Sequence, residues 1–474
     1  MKRGTGHQLA GAGAAAAIAC TATTLTAAEL STNSVPGSAT VVNSQPPPGR
    51  NWNFHVQNTD IVQGYPAFHS QYSGPNSLPA GGETRETVSL DLMAGLRLWH
   101  GAEAHVDGLM WQGFGLANSL GVEGFPNAEA FRLGTDVPNG TLSRLFIRQT
   151  IGLGGDEETV ADDDFDLAGK EDVSRLTITI GRFSAKDIFD NNAYANSPRT
   201  QFMNWGLGAN EAWDYPADAI GFTTGIAIEL NQPKWTLRYG FFQVPRVQNN
   251  LTADDQAFKW PYDSSAEDGP LLNSWGMVAE LERRYTINSH PGTIRFLGFV
   301  NKANMATYSA ATAILRTDGP GADFQAARSL RYKYGFGLNW EQEIATDVGV
   351  FSRLGWNDDQ EEGWMFSDVG YAGSAGLSIN GGLWHRPDDT YGLAGVINGM
   401  SKEGQQFFEA GGTGILAGDG RLNYGLEKIV ETYYDFKIWK SIHAAVDYQF
   451  IADPAFNGDR GPVSVFAARL HWEF

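Results

Sequence analysis

The sequence predicts an all-β chain: a transmembrane antiparallel β-barrel of about sixteen strands, with short periplasmic turns and long extracellular loops. Three observations carry that prediction. Apolar residues recur at every second position in one stretch after another. The connections between these stretches alternate between short and long. The chain ends on a strand with one aromatic, apolar face. A period of two sends successive side chains to opposite faces. In a membrane barrel the apolar face meets lipid and the polar face lines a water-filled lumen. No apolar run reaches the roughly 18 residues of a membrane helix, and the slightly negative mean hydropathy excludes a helical bundle but not a barrel.

The last strand shows the pattern directly. Phe474, Trp472, Leu470, Ala468 and Phe466 form one face, and Glu473, His471, Arg469, Ala467 and Val465 the other. Val88, Leu90, Leu92, Ala94, Leu96 and Leu98 alternate with Ser89, Asp91, Met93, Gly95 and Arg97 before a turn at His100-Gly101. Tyr332, Tyr334, Phe336, Leu338 and Trp340 do the same opposite Lys333, Gly335, Gly337, Asn339 and Glu341. Along the whole chain, candidate strands fall at 52–63, 86–98, 103–111, 142–152, 173–183, 221–230, 235–244 and 275–285. They continue at 293–301, 332–343, 348–356, 373–380, 391–398, 426–438, 442–451 and 463–474. An even number, at roughly 10 residues each, suits tilted strands crossing a bilayer.

With Phe474 at the periplasmic end, the inner turns are 99–102, 231–234, 286–292, 344–347, 381–390 and 439–441. The outer loops are 64–85, 112–141, 184–220, 245–274, 302–331, 357–372, 399–425 and 452–462. Only 153–172 breaks the rule, as a long inner connection. Trp99, Trp235, Trp340, Trp439 and Trp472 fall at inner strand ends, and Trp111, Trp275 and Trp356 at outer ends. Two such belts are where amphipathic rings settle at membrane interfaces.

Residues 1–28 read as a secretory signal: Lys2 and Arg3, an Ala-rich run from Leu9 to Cys20, then Thr26-Ala27-Ala28. A lipoprotein reading at Cys20 lacks the usual Leu at Ala17. Residues 29–50, rich in Ser, Thr, Asn and Pro, read as a disordered leader, and 51–474 as the barrel. The leader is too short for the globular plug of a gated receptor. Cys20 is the only cysteine, so a chain that loses the signal has no disulfide. Loss of Lys2 and Arg3 takes the formal charge from −20 to −22. Such an acidic balance argues against a nucleic-acid partner. There is no phosphate loop, zinc spacing or Gly-x-Ser-x-Gly motif, so no cofactor, metal or catalytic residue is expected. The Asp156–Asp172 segment has nine acidic residues and one Lys, but its spacing matches no calcium loop. It reads as a solvated acidic connection.

Lumen parity collects charges of both signs: Asp91, Arg97, Glu103, Asp107, Arg148, Arg175, Arg238, Glu341, Arg353, Glu431, Asp435, Asp447 and Arg469. Opposed charges set a transverse field that orients polar solutes; the plainer reading is that they solvate the lumen and pair. The 184–220 loop is longer than a turn requires and mixes rings, amides, carboxylates and an arginine. Sugars offer C–H faces to rings and hydroxyls to polar groups. The candidate lining is therefore Asp190, Asn191, Arg199 and Trp205 on the loop, with Arg97, Asp107, Arg148, Arg238, Glu341 and Arg353 on the wall.

Several segments together resemble the carbohydrate-selective, OprB-type porin family of Gram-negative outer membranes. They are Gln149–Gly155, Gly181–Ser184 running into Asp187–Tyr194, Tyr215–Ala219, Tyr334–Asn339, Arg386–Thr390, Asp447–Phe450 and Gly458–Pro462. The resemblance covers about residues 50–474. It implies a sixteen-stranded outer-membrane barrel that lets mono- or small oligosaccharides such as glucose diffuse inward through a loop-narrowed, charged lumen. It also implies contact with outer-membrane lipid, and assembly by the barrel-assembly machinery through the strand ending in Phe474. Whether the barrel is a monomer or a trimer stays open. The competing readings are a general or ion-selective porin, a barrel enzyme such as a lipid hydrolase, and a soluble glycan-binding β protein. The hydrolase needs Ser and His near lipid, whereas parity puts His105, His443 and His471 on the lumen side.

Overall fold

The computed structural model of the chain describes residues 49–130, 134–250 and 273–474. The expected signal, most of the leader and most of the 245–274 loop lie outside them. The strands are β1 (Trp52–Tyr65), β2 (Glu83–Trp99), β3 (Ala102–Gly113), β4 (Thr135–Gly152), β5 (Glu157–Val160) and β6 (Gly169–Asp172). Then come β7 (Arg175–Phe183), β8 (Thr223–Gln232), β9 (Trp235–Gln243), β10 (Trp275–Ile287), β11 (His290–Ala306) and β12 (Arg328–Ala345). The last six are β13 (Val348–Asn357), β14 (Tyr371–Asn380), β15 (Thr390–Gly399), β16 (Glu427–Trp439), β17 (Ile442–Ala452) and β18 (Val463–Glu473). All but β5 and β6 close into one antiparallel barrel of sixteen strands, each paired with its neighbours in order.

Alternation explains the wall. Phe296 is 56% exposed on the outside, while its neighbour Arg295 is 8% exposed on the inside and reaches Glu282 and Glu341. Leu92, Val446 and Phe466 face outward in the same way. Closure joins the first strand to the last: Val56 and Phe474 exchange backbone hydrogen bonds of 3.1 and 2.9 Å, and Thr59 pairs with Ser89 on one side and His471 on the other. Every strand read from alternation is present. Several outer ends run further than expected, most of all in β4, β11 and β12. Above the bilayer neither face needs to be apolar, so the period of two fades although the ladder continues.

The inner turns are tight. Asn288 and Ser289, with φ of 52° and 69°, form a two-residue turn of the kind that matches strand twist. The outer loops build a cap. In it lie α1 (Trp205–Gly208), α2 (Tyr308–Asp318) and α3 (Lys402–Glu409). The Thr307 and Ser401 hydroxyls accept hydrogen bonds from the Ala310 and Gly404 N–H groups at the helix starts. Tyr308 and Phe407 then pack 5.2 Å apart across the two helices.

One expectation is corrected. The 153–172 connection is not merely solvated: β5 and β6 pair as a hairpin whose tip, 161–168, enters the barrel and buries Leu167 and Ala168. Arg50, read as the last residue of the leader, is tied to the hairpin tip: its N–H donates to the Ala168 carbonyl (2.9 Å) and its guanidinium to Asp162 (2.7 Å). The topology predicts that an epitope inserted at 319–323 is labelled on intact cells, and that one inserted at 346–347 is labelled only after the outer membrane is breached. The reverse pattern would invert the barrel.

Candidate functional site

The connection 184–222 leaves β7 and crosses the lumen to strands on the far side. Its entry is fixed locally: the Ser184 hydroxyl accepts from the Lys186 N–H and the Asp187 carboxylate from the Ser184 N–H. Beyond that point the wall supplies carboxylates for the loop's own backbone donors. Glu280 accepts the Asp190 N–H (2.8 Å), Glu341 the Ala193 N–H (2.7 Å), and Glu431 those of Met203 and Asn204 (2.6 and 3.0 Å). Arg469 donates to the Pro198 and Gln201 carbonyls, both at 2.7 Å. Hydrogen bonds to charged groups are worth about 1.5–3 kcal/mol each, so this set holds the loop firmly. The wall also leaves room. A side chain at Gly355 would collide with Asn210, and one at Gly349 with the Tyr194 ring.

Asp190 is the centre of the seam. Arg353 reaches its carboxylate at 3.2 Å and Lys186 at 3.2 Å, while Asn339 donates at 2.8 Å and the Asn210 N–H at 2.9 Å. Burial alone would push the Asp190 carboxyl up; Arg353 and Lys186 outweigh it and hold it at about 2. Burial pushes the Lys186 ammonium down, with Asp190 opposing. Asp190 and Arg353 are 5% and 2% exposed in their side chains, so they anchor the loop and do not line open water.

The opposite flank is more open. Arg199 spans Asp91 (2.7 Å) and Glu129 (3.0 Å). Arg144 forks onto Asp187 with two bonds of 2.8 Å and reaches Asp107 at 2.7 Å. Its guanidinium also lies over Phe165 at 4.5 Å and Phe222 at 4.8 Å. Trp205 stacks on Phe125 (5.4 Å, 11°) and meets Tyr215 and Phe366 at a tilt. One face of that indole is therefore already covered.

From the other end, the hairpin tip meets the same wall. Asn53 donates to Asp162 and to the Asp163 and Asp166 carbonyls, and Arg148 bonds Asp166 at 2.6 Å. Phe165 enters a ring cluster with Phe146 and His105. Arg144 thus touches both inserts, Asp187 from outside and Phe165 from the periplasmic end. Asp164 receives one bond, from Gln57 (3.1 Å), and its other oxygen is buried without a partner. Burial, then the charges of Glu473 and Asp163, push its carboxyl up to about 7 against the pull of Arg199. A free carboxyl titrates near 4, so docking holds the proton more tightly than the free tip does. Docking is then strongest below about pH 4, weakens as pH rises to about 7, and levels off above. Amide hydrogen exchange in 161–168, corrected for its intrinsic rate, is expected to be faster at pH 8 than at pH 5, and Asp164→Asn to remove most of that difference.

The structure thus separates the candidate residues. Asp190, Asn191, Glu341, Arg353 and Arg238 gather on the seam: Arg238 holds Glu280 (2.8 Å), and the Asn191 carbonyl accepts from Asn339. Arg199 stands on the open flank, whereas Asp107 is fully buried beneath it, held by Ser143 and Arg144. Arg148 and Arg97 lie lower, Arg148 on the hairpin and Arg97 against Glu103 at 3.1 Å. Sequence reading missed Arg144 and Glu280. Arg144 follows a bulge at Ser143, where two residues of β4 face Asp107. Parity from Arg148 carries back to it.

The chain matches the family model described as carbohydrate-selective porin, OprB family, over residues 76–474. No curated protein sequence matches it. Among solved structures it is similar to Pseudomonas putida OprB at high pH, with 16% identity and a TM-score of 0.67 over 90% of this chain and 94% of that one. More distant are the DcaP channel of Acinetobacter baumannii (8%, TM-score 0.47, 89% and 97%) and OccK2 of Pseudomonas aeruginosa (10%, TM-score 0.42, 90% and 98%). The family match takes in most of the barrel and all of both inserts, and on that ground the chain belongs to the carbohydrate-selective porin family, OprB.

Proposed function

We propose that this outer-membrane carbohydrate porin passes neutral mono- and small oligosaccharides, glucose among them, along the flank carrying Arg144, Asp187 and Arg199. Membership of the family supports sugars as the solutes and the outer membrane as the location. The observation that carries the route is the split within the lumen. At the centre of the seam Asp190 and Arg353 keep only 5% and 2% of their side-chain surface, while Arg144, Asp187 and Arg199 keep 15%, 26% and 17%. They offer donors and acceptors together, as hydroxyls require. Binding there has to be weak: a millimolar dissociation constant is about 4 kcal/mol, within reach of two charged hydrogen bonds, and it still permits release. The lumen performs no bond-breaking chemistry in this reading.

The exposed outward rings are lipid contacts, and the β18 end at Phe474 is the segment offered to the assembly machinery. Either a monomer or a trimer accommodates this route, and a mature chain cleaved after the 1–28 signal fits the barrel start at Trp52.

The test is Arg199→Ala in planar bilayers. Open-channel conductance should stay equal or rise, because a charged side chain leaves the opening. Block by glucose should weaken several-fold. Trp205→Ala should act mainly by loosening the Phe125 stack, with a smaller change in block. A general or ion-selective porin predicts no sugar block in the wild type. Wild-type block by glucose in Arg199→Ala would move the selective contact away from this flank.

A further inference from the structure

Below the two inserts, the hairpin does more than narrow the lumen. Between it and the wall of β4 and β7–β10 lies a cavity of about 530 Å³ at the periplasmic end. Small-molecule sites run from about 300 to 1,000 Å³, so a mono- or disaccharide fits. One side is hairpin: Glu158 and Glu171 meet Arg175 at 2.5 and 3.2 Å, and Asp166 meets Arg148 at 2.6 Å. The other side is wall: Glu229 meets Arg238 at 2.9 Å, and Arg284 stands beside Glu282 at 2.6 Å. Thr150, Thr177 and Thr236 add hydroxyls between them.

Most of these groups are more open than the Asp190–Arg353 pair of the seam, and Arg238 reaches from the seam to the cavity. Arg148 and Arg175 keep 21% of their side-chain surface and Arg284 34%. Arg148 and Arg175 donate to the hairpin through Nη1, and Arg175 also through Nε, which leaves each an Nη2 for a solute. The lining arginines and carboxylates balance in number. A balanced set does not concentrate an anion or a cation. It does offer donors and acceptors at close spacing, which is what a neutral polyol uses. No aromatic ring lines the space, so recognition is by hydroxyls and not by stacking.

We propose that this vestibule is a second solute site, for neutral sugars, assembled at the periplasmic exit by docking of the β5–β6 hairpin. It rests on the sugar-channel reading and extends it from one contact to two in series. The hairpin is a positioning element as well as a lining, since three of the four lining carboxylates, Glu158, Asp166 and Glu171, come from it. Without it, Arg148 and Arg175 lose their carboxylate partners and the cavity opens to the periplasm.

The experiment uses the full barrel inserted in one orientation in a planar bilayer, with glucose or sucrose added to one side at a time. Two variants are compared with the wild type: Glu158→Gln with Glu171→Gln, and replacement of 157–172 by a short Gly-Ser link. Both should keep the heat-modifiable mobility of a closed barrel, because neither touches the sixteen-stranded ladder. Sugar added from the periplasmic side should block about tenfold more weakly in both, the loss expected for a charged hydrogen bond. Block from the extracellular side should change far less. Unaltered periplasmic-side block in the double Gln variant overturns the second site while leaving the sugar channel standing, and decides the matter even if the link variant fails to assemble. A wild type that conducts ions and shows no sugar block from either side overturns both readings.

Discussion

Replacing Arg353 by Met is expected to raise open-channel conductance several-fold while the barrel stays closed. The guanidinium ties β13 to the crossing loop through the Asp190 carboxylate (3.2 Å), the Asp190 carbonyl (3.1 Å) and the Leu207 carbonyl (2.8 Å). Met fills much of the space but supplies no donor. Removing one partner of a buried ion pair typically costs about 3–5 kcal/mol, because the other charge is left unpaired. Lys186 and Asn339 remain on Asp190, which puts the cost at the low end of that range. The penalty falls on loop docking and not on the wall, whose ladder does not use this side chain. Arg353→Lys should lie between, with the charge kept and the fork lost. Single-channel recording reads the result. Wild-type conductance in Arg353→Met would show that the remaining carboxylate contacts suffice to hold the loop.

Phe336→Arg should destabilise the folded barrel by about 2–4 kcal/mol, the cost of an arginine facing lipid at mid-depth. Phe336 sits midway between Tyr332 and Trp340 on β12, is 48% exposed, and pairs across the ladder with Trp356 at 5.2 Å, so that ring, expected in the outer belt, lies deeper than Tyr332. The rings on either side mark the two interfaces, so the new charge cannot easily reach water. Urea unfolding in lipid vesicles measures it. As an internal control, Leu330→Arg at the outer end of the same strand should cost far less, because its side chain reaches the headgroups. Equal costs at the two positions would mean that the belts have been misplaced.

The wall was legible because a bilayer and a wet lumen force a period of two on every crossing strand. The inserts were less legible, for a physical reason. Parity tells which way Arg353 and Glu341 point, but not whether water or a loop lies in front of them. Asp190, read as a solute contact, proved to be a buried anchor because its partners Arg353 and Asn339 lie far along the chain. The inner hairpin appeared only as an exception in a rule about connection lengths. Its acidic run concealed Phe165 and Leu167, the residues that carry it inward. Arg144 was within reach of parity, as the lumen-side residue four before Arg148.

The contacts that close the lumen also say when in assembly it closes. Each wall strand pairs with the next in sequence, so the ladder grows by short steps with little loop entropy to overcome. The crossing loop is different: the Met203 N–H waits for Glu431, and the Pro198 carbonyl for Arg469. Those partners lie 228 and 271 residues further along the chain, on β16 and β18, and contacts so distant in sequence form late. A newly closed barrel is therefore expected to pass through a stage with its walls complete and its interior unobstructed. Permeability of the membrane to large solutes, followed in time after synthesis begins, should show a brief leak that ends as the loop docks.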